Sequence, residues 1–187
     1  MRVLAIDSSA VSASCALLED GKLIGEQYIN VGLTHSQTLM PLVENLLLQA
    51  GYRPREVDGF AVSNGPGSFT GIRIGVAAVK GMAAALEKPC VGVSTLEAMA
   101  YLFEGMDGMV CAAMDARCQQ VYNAMFEMKD GQVVRLSEDR ALSLEELVGE
   151  LKGMGKPVFL TGDGSFVCEK TFLENQISFH LAPPHLR

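Results

Sequence analysis

An apolar run bounded by Arg2 and Asp7 opens the chain and reads as a short buried strand. Val11–Leu18 is a second strand and Lys22–Ile29 a third, joined by a hairpin turn with Asp20-Gly21 at its centre. The stretch THSQTLMPLVENLLLQAG then reads as a helix. Thr34 and Gln37 have capping-box spacing, Gly51 is a fitting stop, and Pro41 predicts a kink or a later start. Asp58–Val62 is a strand, Ser63–Thr70 a glycine-rich loop, Gly71–Glu87 a helix and Cys90–Val93 a strand. Ser94 and Glu97 cap a further helix that runs to about Glu104.

The pattern then restarts. Met109–Met114 is apolar and ends at Asp115, as the first strand ended at Asp7. Val121–Glu127, an Asp130-Gly131 turn and Gln132–Leu136 form the next hairpin. Ser143 and Glu146 cap a helix ending near Gly153; Pro157–Thr161 is a strand, GDGS a loop, Phe166–Leu173 a helix and Ile177–Leu181 a strand. The strand-end aspartates (7 and 115) lie 108 residues apart and the turn glycines (21 and 131) 110 apart. That near-constant offset predicts a duplicated βββαβαβα unit of α/β class, with lobes at 1–104 and 105–187. The second half is reduced: where a helix like Ser94–Glu104 is due, the sequence closes on APPHLR, so a truncated C-terminal segment is expected.

The helix after the glycine loop differs from an ordinary sheet-covering helix. Its polar residues Arg73, Lys80 and Glu87 recur every seven positions, about two turns, and so share one narrow stripe. Every other position is apolar or small, whereas a helix on a sheet needs an apolar face of only about 100°. Either the helix is wholly enclosed by its own chain, or a second face packs on a partner. The partner reading is preferred, with Gly71, Gly75 and Ala78 as a smooth strip for close backbone approach, Ile72, Val76, Val79 and Met82 as apolar contacts, and Arg73 and Lys80 at the rim.

Composition supports unfilled apolar surface: 49% of the 187 residues are hydrophobic and 20% charged. The net charge of -7, without any basic run, argues against stand-alone nucleic-acid binding, which needs clustered Lys and Arg. Five scattered cysteines without a CxxC give neither a disulfide framework nor a zinc knuckle. The N-terminal residues read as a strand rather than a signal peptide, and no apolar run looks long enough to span a membrane, so a reduced cytoplasmic setting is the default.

The element order resembles the actin-like ATPase superfamily, with its ribonuclease H-like lobes. More specifically, LAIDSSAVSASCALLEDGKLIGE, THSQTLMPLVENLL, AVSNGPGSFTGIRIGVAAVKGMA and VGVSTLEAMA resemble the bacterial TsaB (YeaZ) family, in the right order over most of residues 2–100. MDARCQQVYNAMF and LTGDGS extend the likeness more loosely. The resemblance implies a role in forming N6-threonylcarbamoyladenosine at tRNA position 37. It implies a non-catalytic scaffold that pairs with a metal-bearing paralogue, TsaD, and works with a small ATPase, TsaE. Contact with tRNA would then be indirect, through the complex, and a homodimer is the expected self-association of the chain alone.

Asp7, Ser8 and Ser9 are the candidates for a vestigial nucleotide site, because an Asp at this strand end helps to hold Mg²⁺ in actin-like ATPases and the following groups touch phosphate. The competing reading is a turn in which these side chains bond nearby backbone, and it is favoured. A working site would need a second glycine-rich hairpin; DARCQQ has no glycine, and Arg117 and Gln119 are too bulky to let amides wrap a phosphate. The loop NGPGSFTG lacks the Lys-Ser/Thr ending of a P-loop and reads as a tight turn with Ser68 or Thr70 as helix cap. His35 has Leu39 four residues on, where the metal-binding paralogue has a second histidine, and LAPP between His180 and His185 rules out helical ligand spacing, so no metal, cofactor or catalytic residue is assigned. An ATP-dependent phosphotransferase or ATPase of the same fold is the alternative.

Overall fold

The structure is a computed structural model and describes residues 1–183; His185 and the rest of the chain end from residue 184 lie outside the described residues. The chain divides into two compact units at Val93/Ser94.

In the first unit β1 (Arg2–Asp7), β2 (Ala13–Glu19) and β3 (Lys22–Ile29) form an antiparallel meander. Helix α1 (His35–Ala50) and a single 3₁₀ turn at Pro54–Glu56 lead to β4 (Gly59–Gly65), α2 (Phe69–Leu86) and β5 (Cys90–Ser94). The strands lie in the order β3-β2-β1-β4-β5, with β4 parallel to β1. Alternation sets the core: Leu4 and Ile6, Cys15 and Leu17, and Phe60 and Val62 meet Leu39, Val43, Leu46 and Leu47 of α1 and Val79 and Ala83 of α2. The Thr34–Gln37 capping box and the left-handed Gly51 bound α1 as expected, but Pro41 lies inside the helix and does not delay its start.

In the second unit α3 (Thr95–Tyr101) precedes β6 (Gly108–Arg117), β7 (Gln120–Lys129), β8 (Gln132–Arg135), β9 (Arg140–Ser143), α4 (Leu144–Met154), β10 (Val158–Thr161), α5 (Ser165–Glu174) and β11 (Phe179–Leu181). The order β8-β7-β6-β10-β11 repeats that of the first sheet. Strand β9, which carries no clear alternation in sequence, adds to β7. Both hairpin turns place Asp and Gly at positive φ, at Asp20-Gly21 and Asp130-Gly131. Met109–Met114 of β6 is buried on both faces: Cys111 and Ala113 meet α4 and α5 through Leu147, Leu151, Cys168 and Phe172, while α3 packs on β6, β7 and β8 from the other side. Helix α3, assigned to the first lobe by element order, therefore packs in the second unit.

The duplication extends to a loop. Gly65-Pro66-Gly67-Ser68-Phe69 runs into α2, and Gly162-Asp163-Gly164-Ser165-Phe166 runs into α5. In each unit the second glycine presses on the end of the first strand or the turn after it, Gly67 on Ser9 and Gly164 on Ala113 and Met114, where a Cβ would collide with backbone.

Candidate functional site

The turn after β1 gathers the three residues proposed for nucleotide. Asp7 Oδ1 accepts from the Ser9 amide and the Ser9 hydroxyl, both at 2.7 Å, and Oδ2 accepts from the Ser63 hydroxyl on β4 at 2.6 Å. Ser8 is fully buried and its hydroxyl donates to the Gly71 carbonyl of α2 at 2.9 Å. The Ser68 amide donates to the Ser9 carbonyl at 2.6 Å, and Ser68 caps α2 by accepting from the Gly71 amide at 3.3 Å. Both carboxylate oxygens and both hydroxyls are thus committed to the chain itself, the arrangement of a structural turn.

His35, the first residue of α1, bonds the Ala10 carbonyl through Nε2 at 2.8 Å, which makes Nε2 the protonated nitrogen. Its proton is spent on a carbonyl and neither serine donates to it, so Ser8, Ser9 and His35 form no nucleophile–base pair. Burial raises the thiol of Cys15 to about 11 and that of Cys168 to about 12, and raises Cys111 as well, which holds all three as inert packing thiols. Among the described residues no three metal-ligating side chains converge.

At the equivalent strand end of the second unit, Asp163 Oδ1 accepts from the Asp115 amide at 3.2 Å, and Asp115 Oδ1 accepts from the Arg117 amide at 2.8 Å. Burial raises the Asp163 carboxyl above its ordinary value. Arg117, Cys118 and Gln119 all adopt positive φ, a tight turn built without glycine.

Helix α2 presents two faces. Gly71, Gly75, Val79 and Ala83 form the buried stripe, each four residues from the next. A Cβ on Gly75 would overlap the Ser8 hydroxyl, and one on Gly71 the Ser8 carbonyl. The backbone that Gly71 and Gly75 admit is therefore the chain's own β1 turn. Those two glycines and Val79, expected at a partner interface, are packing residues instead. Ile72, Val76, Ala78 and Met82 are half-buried on the flanks, and Arg73 and Lys80 are exposed, as their stripe implied. The outward face centres on Ala77, Gly81 and Ala84, which the sequence reasoning missed; they lie on the same side of the helix as the Arg73–Lys80 stripe, and that was the available signal. A Cβ on Gly81 would meet nothing within 4 Å. Phe69, 69% exposed, carries the Arg73 guanidinium 3.7 Å from its ring centroid.

The expectation about membrane spans also needs correction. By length and composition α2, with 18 residues, is apolar enough to cross a membrane; counting uninterrupted apolar residues hid this, because Arg73 and Lys80 break the run without making the helix polar. In the structure 22% of that helix is buried, as the Gly71, Gly75, Val79 and Ala83 stripe on the sheet.

Two lobes of one topology, each with a glycine loop pressed on its first strand, define the class as the actin-like α/β fold. A structure of the Clostridium difficile activator of 2-hydroxyisocaproyl-CoA dehydratase with bound ADPNP shares that fold at TM-score 0.52, 9% identity, covering 97% of this chain and 88% of its own. YeaZ from Pseudomonas aeruginosa matches far more closely, at TM-score 0.81 and 30% identity over 96% of this chain and 84% of its own. The TsaD family, tRNA N6-adenosine threonylcarbamoyltransferase, matches residues 30–182. The tRNA threonylcarbamoyladenosine biosynthesis protein TsaB of Bacillus subtilis is 35% identical over 87% of this chain and 71% of its own length; that of Escherichia coli is 36% identical over 80% and 65%. The chain thus spans about two thirds of those relatives. It belongs to the TsaB (YeaZ) family of the TsaD-like group, in tRNA threonylcarbamoyladenosine biosynthesis.

Proposed function

We propose that this chain is the non-catalytic scaffold of a cytoplasmic threonylcarbamoyladenosine-forming complex. It docks a TsaD-like paralogue through the outward face of α2 and the neighbouring α1. The observation that carries the reading is that face: Ala77, Gly81 and Ala84 leave a smooth strip open to solvent, flanked by Val76 and bordered by Phe69, Arg73 and Lys80. A tRNA N6-adenosine threonylcarbamoyltransferase of Anaeromyxobacter dehalogenans is 33% identical over 51% of this chain, which supports a partner built from a similar lobe. A partner of similar fold replaces a second copy of the chain, so homodimerisation is the weaker use of the same surface. A TsaE-like ATPase completes the assembly, and tRNA is held through the partners, which suits a chain of net charge -7.

The test is reconstitution. Threonylcarbamoyladenosine formation at tRNA position 37 is measured with the TsaD-like and TsaE-like proteins of the same organism, with and without this chain. Arg73→Glu and Gly81→Gln, both at exposed positions, are expected to lower product while leaving circular dichroism unchanged. Full modification in the absence of this chain overturns the reading.

A further inference from the structure

Arg73 and Lys80 lie on the outward side of α2 without a carboxylate: neither enters an ion pair among the described residues, and Arg73 rests only on the Phe69 ring. Four of the other six arginines among the described residues are paired, in Arg2–Glu19, Arg117–Asp115, Arg135–Glu97 and Arg140–Glu150. Helix α1, which packs beside α2, adds only Glu44 as a formal negative charge. The middle of the bare α2 face, between Arg73 and Lys80, is therefore cationic, with Glu87 of the same stripe at its C-terminal end. The geometry of self-pairing follows. A two-fold contact repeats the same patch on both copies. Crossing two antiparallel α2 helices at Ala77 sets Arg73, four residues before the crossing, beside Lys80 of the other copy, three residues after it. Four cations then surround the crossing point, while Glu87 lies ten residues beyond it and cannot compensate.

We propose that Arg73 and Lys80 select the occupant of this face: a helix of a different chain bearing two carboxylates two turns apart, about 10 Å, in preference to a second copy. The proposal rests on the docking reading of α2 and adds the chemistry of the partner. RNA is the disfavoured occupant, since two cations on a chain of net charge -7 make a poor phosphate track.

The test exchanges the charges. Sedimentation equilibrium is run on the wild-type chain, on Arg73→Glu/Lys80→Glu, and on their equimolar mixture, and each is titrated with the TsaD-like paralogue at low and high salt. Expected are a mixed wild-type/variant dimer at least about tenfold tighter than either self-dimer, and a loss of about tenfold or more in paralogue affinity by the variant, with the wild-type affinity falling as salt rises. Equal affinity of wild type and variant for the paralogue, with equal salt dependence, overturns the proposal. So does charge exchange that weakens only tRNA retention and leaves both protein complexes unchanged. Gly81→Gln separates this from the docking reading itself: a paralogue complex that ignores the charges but is lost with Gly81→Gln keeps α2 as the interface, and one that ignores both removes α2 altogether.

Discussion

Two chemically identical substitutions on α2 have opposite consequences if its faces are assigned correctly. Glycine to alanine in a helix interior gains about 0.5–1 kcal/mol from backbone entropy. At Gly81 nothing lies within 4 Å of the added methyl, so Gly81→Ala keeps the whole gain. At Gly75 the methyl falls closer than 3.0 Å to the Ser8 hydroxyl, which is fully buried and donates to Gly71. The helix must lift from the sheet or the serine must turn away. Overpacking costs about 1–3 kcal/mol and a lost hydrogen bond about 1 kcal/mol. Against the same propensity gain, Gly75→Ala is left destabilised by about 1–3 kcal/mol, so the two variants differ by about 2–4 kcal/mol. Urea unfolding followed by far-UV circular dichroism reads the difference directly. Gly75→Ala as stable as wild type, together with a loss of stability in Gly81→Ala, would reverse the faces and refute the site as described.

Asp7→Ala removes the acceptor of three hydrogen bonds and is expected to destabilise the first unit by about 2–4 kcal/mol; millimolar Mg²⁺-ATP should leave the thermal midpoint of the wild-type chain unchanged, and a nucleotide-dependent rise lost in Asp7→Ala would instead support the ATPase alternative. Asp163, raised by burial, binds its proton more readily folded than unfolded, so its contribution to stability falls as pH climbs from the ordinary carboxylate value through the folded one. Asp163→Asn, which keeps an acceptor for the Asp115 amide, should therefore gain stability over wild type at neutral pH and lose that advantage in acid, as measured by denaturation at several pH values.

Topology was legible in the sequence because element order encodes it: the Asp7 and Asp115 strand ends and the two Asp-Gly turns recur in register, and the sheets share one strand order. The repeated GxGSF loop escaped that register because it recurs at a shorter offset, 97 residues from Ser68 to Ser165, the second unit being more compact between its hairpin and this loop. Strand β9 was missed because four residues, Arg140–Ser143, are too few to show alternation. The near-uniform apolarity of α2 pointed correctly to a helix with one uncovered side, and Arg73 and Lys80 marked that side. The inner and outer small residues were exchanged because a glycine that admits a partner's backbone and one that admits the chain's own turn look alike in sequence. Only the position of Ser8 under Gly71 and Gly75 separates them. The closed hydrogen bonding of Asp7 was half legible: Ser9 is its sequence neighbour, but Ser63 arrives through the parallel pairing of β4 with β1.

The decisive measurement is the light-scattering mass of an equimolar mixture of this chain and the TsaD-like paralogue at micromolar concentration, for wild type and Gly81→Gln. A Cβ at this open position meets nothing within 4 Å, so glutamine is expected to leave the fold intact and to fill the strip between Ala77 and Ala84. A one-to-one complex with wild type that is lost with Gly81→Gln is the expected result. A complex of the same mass with both proteins would contradict the assignment of α2 as the docking helix.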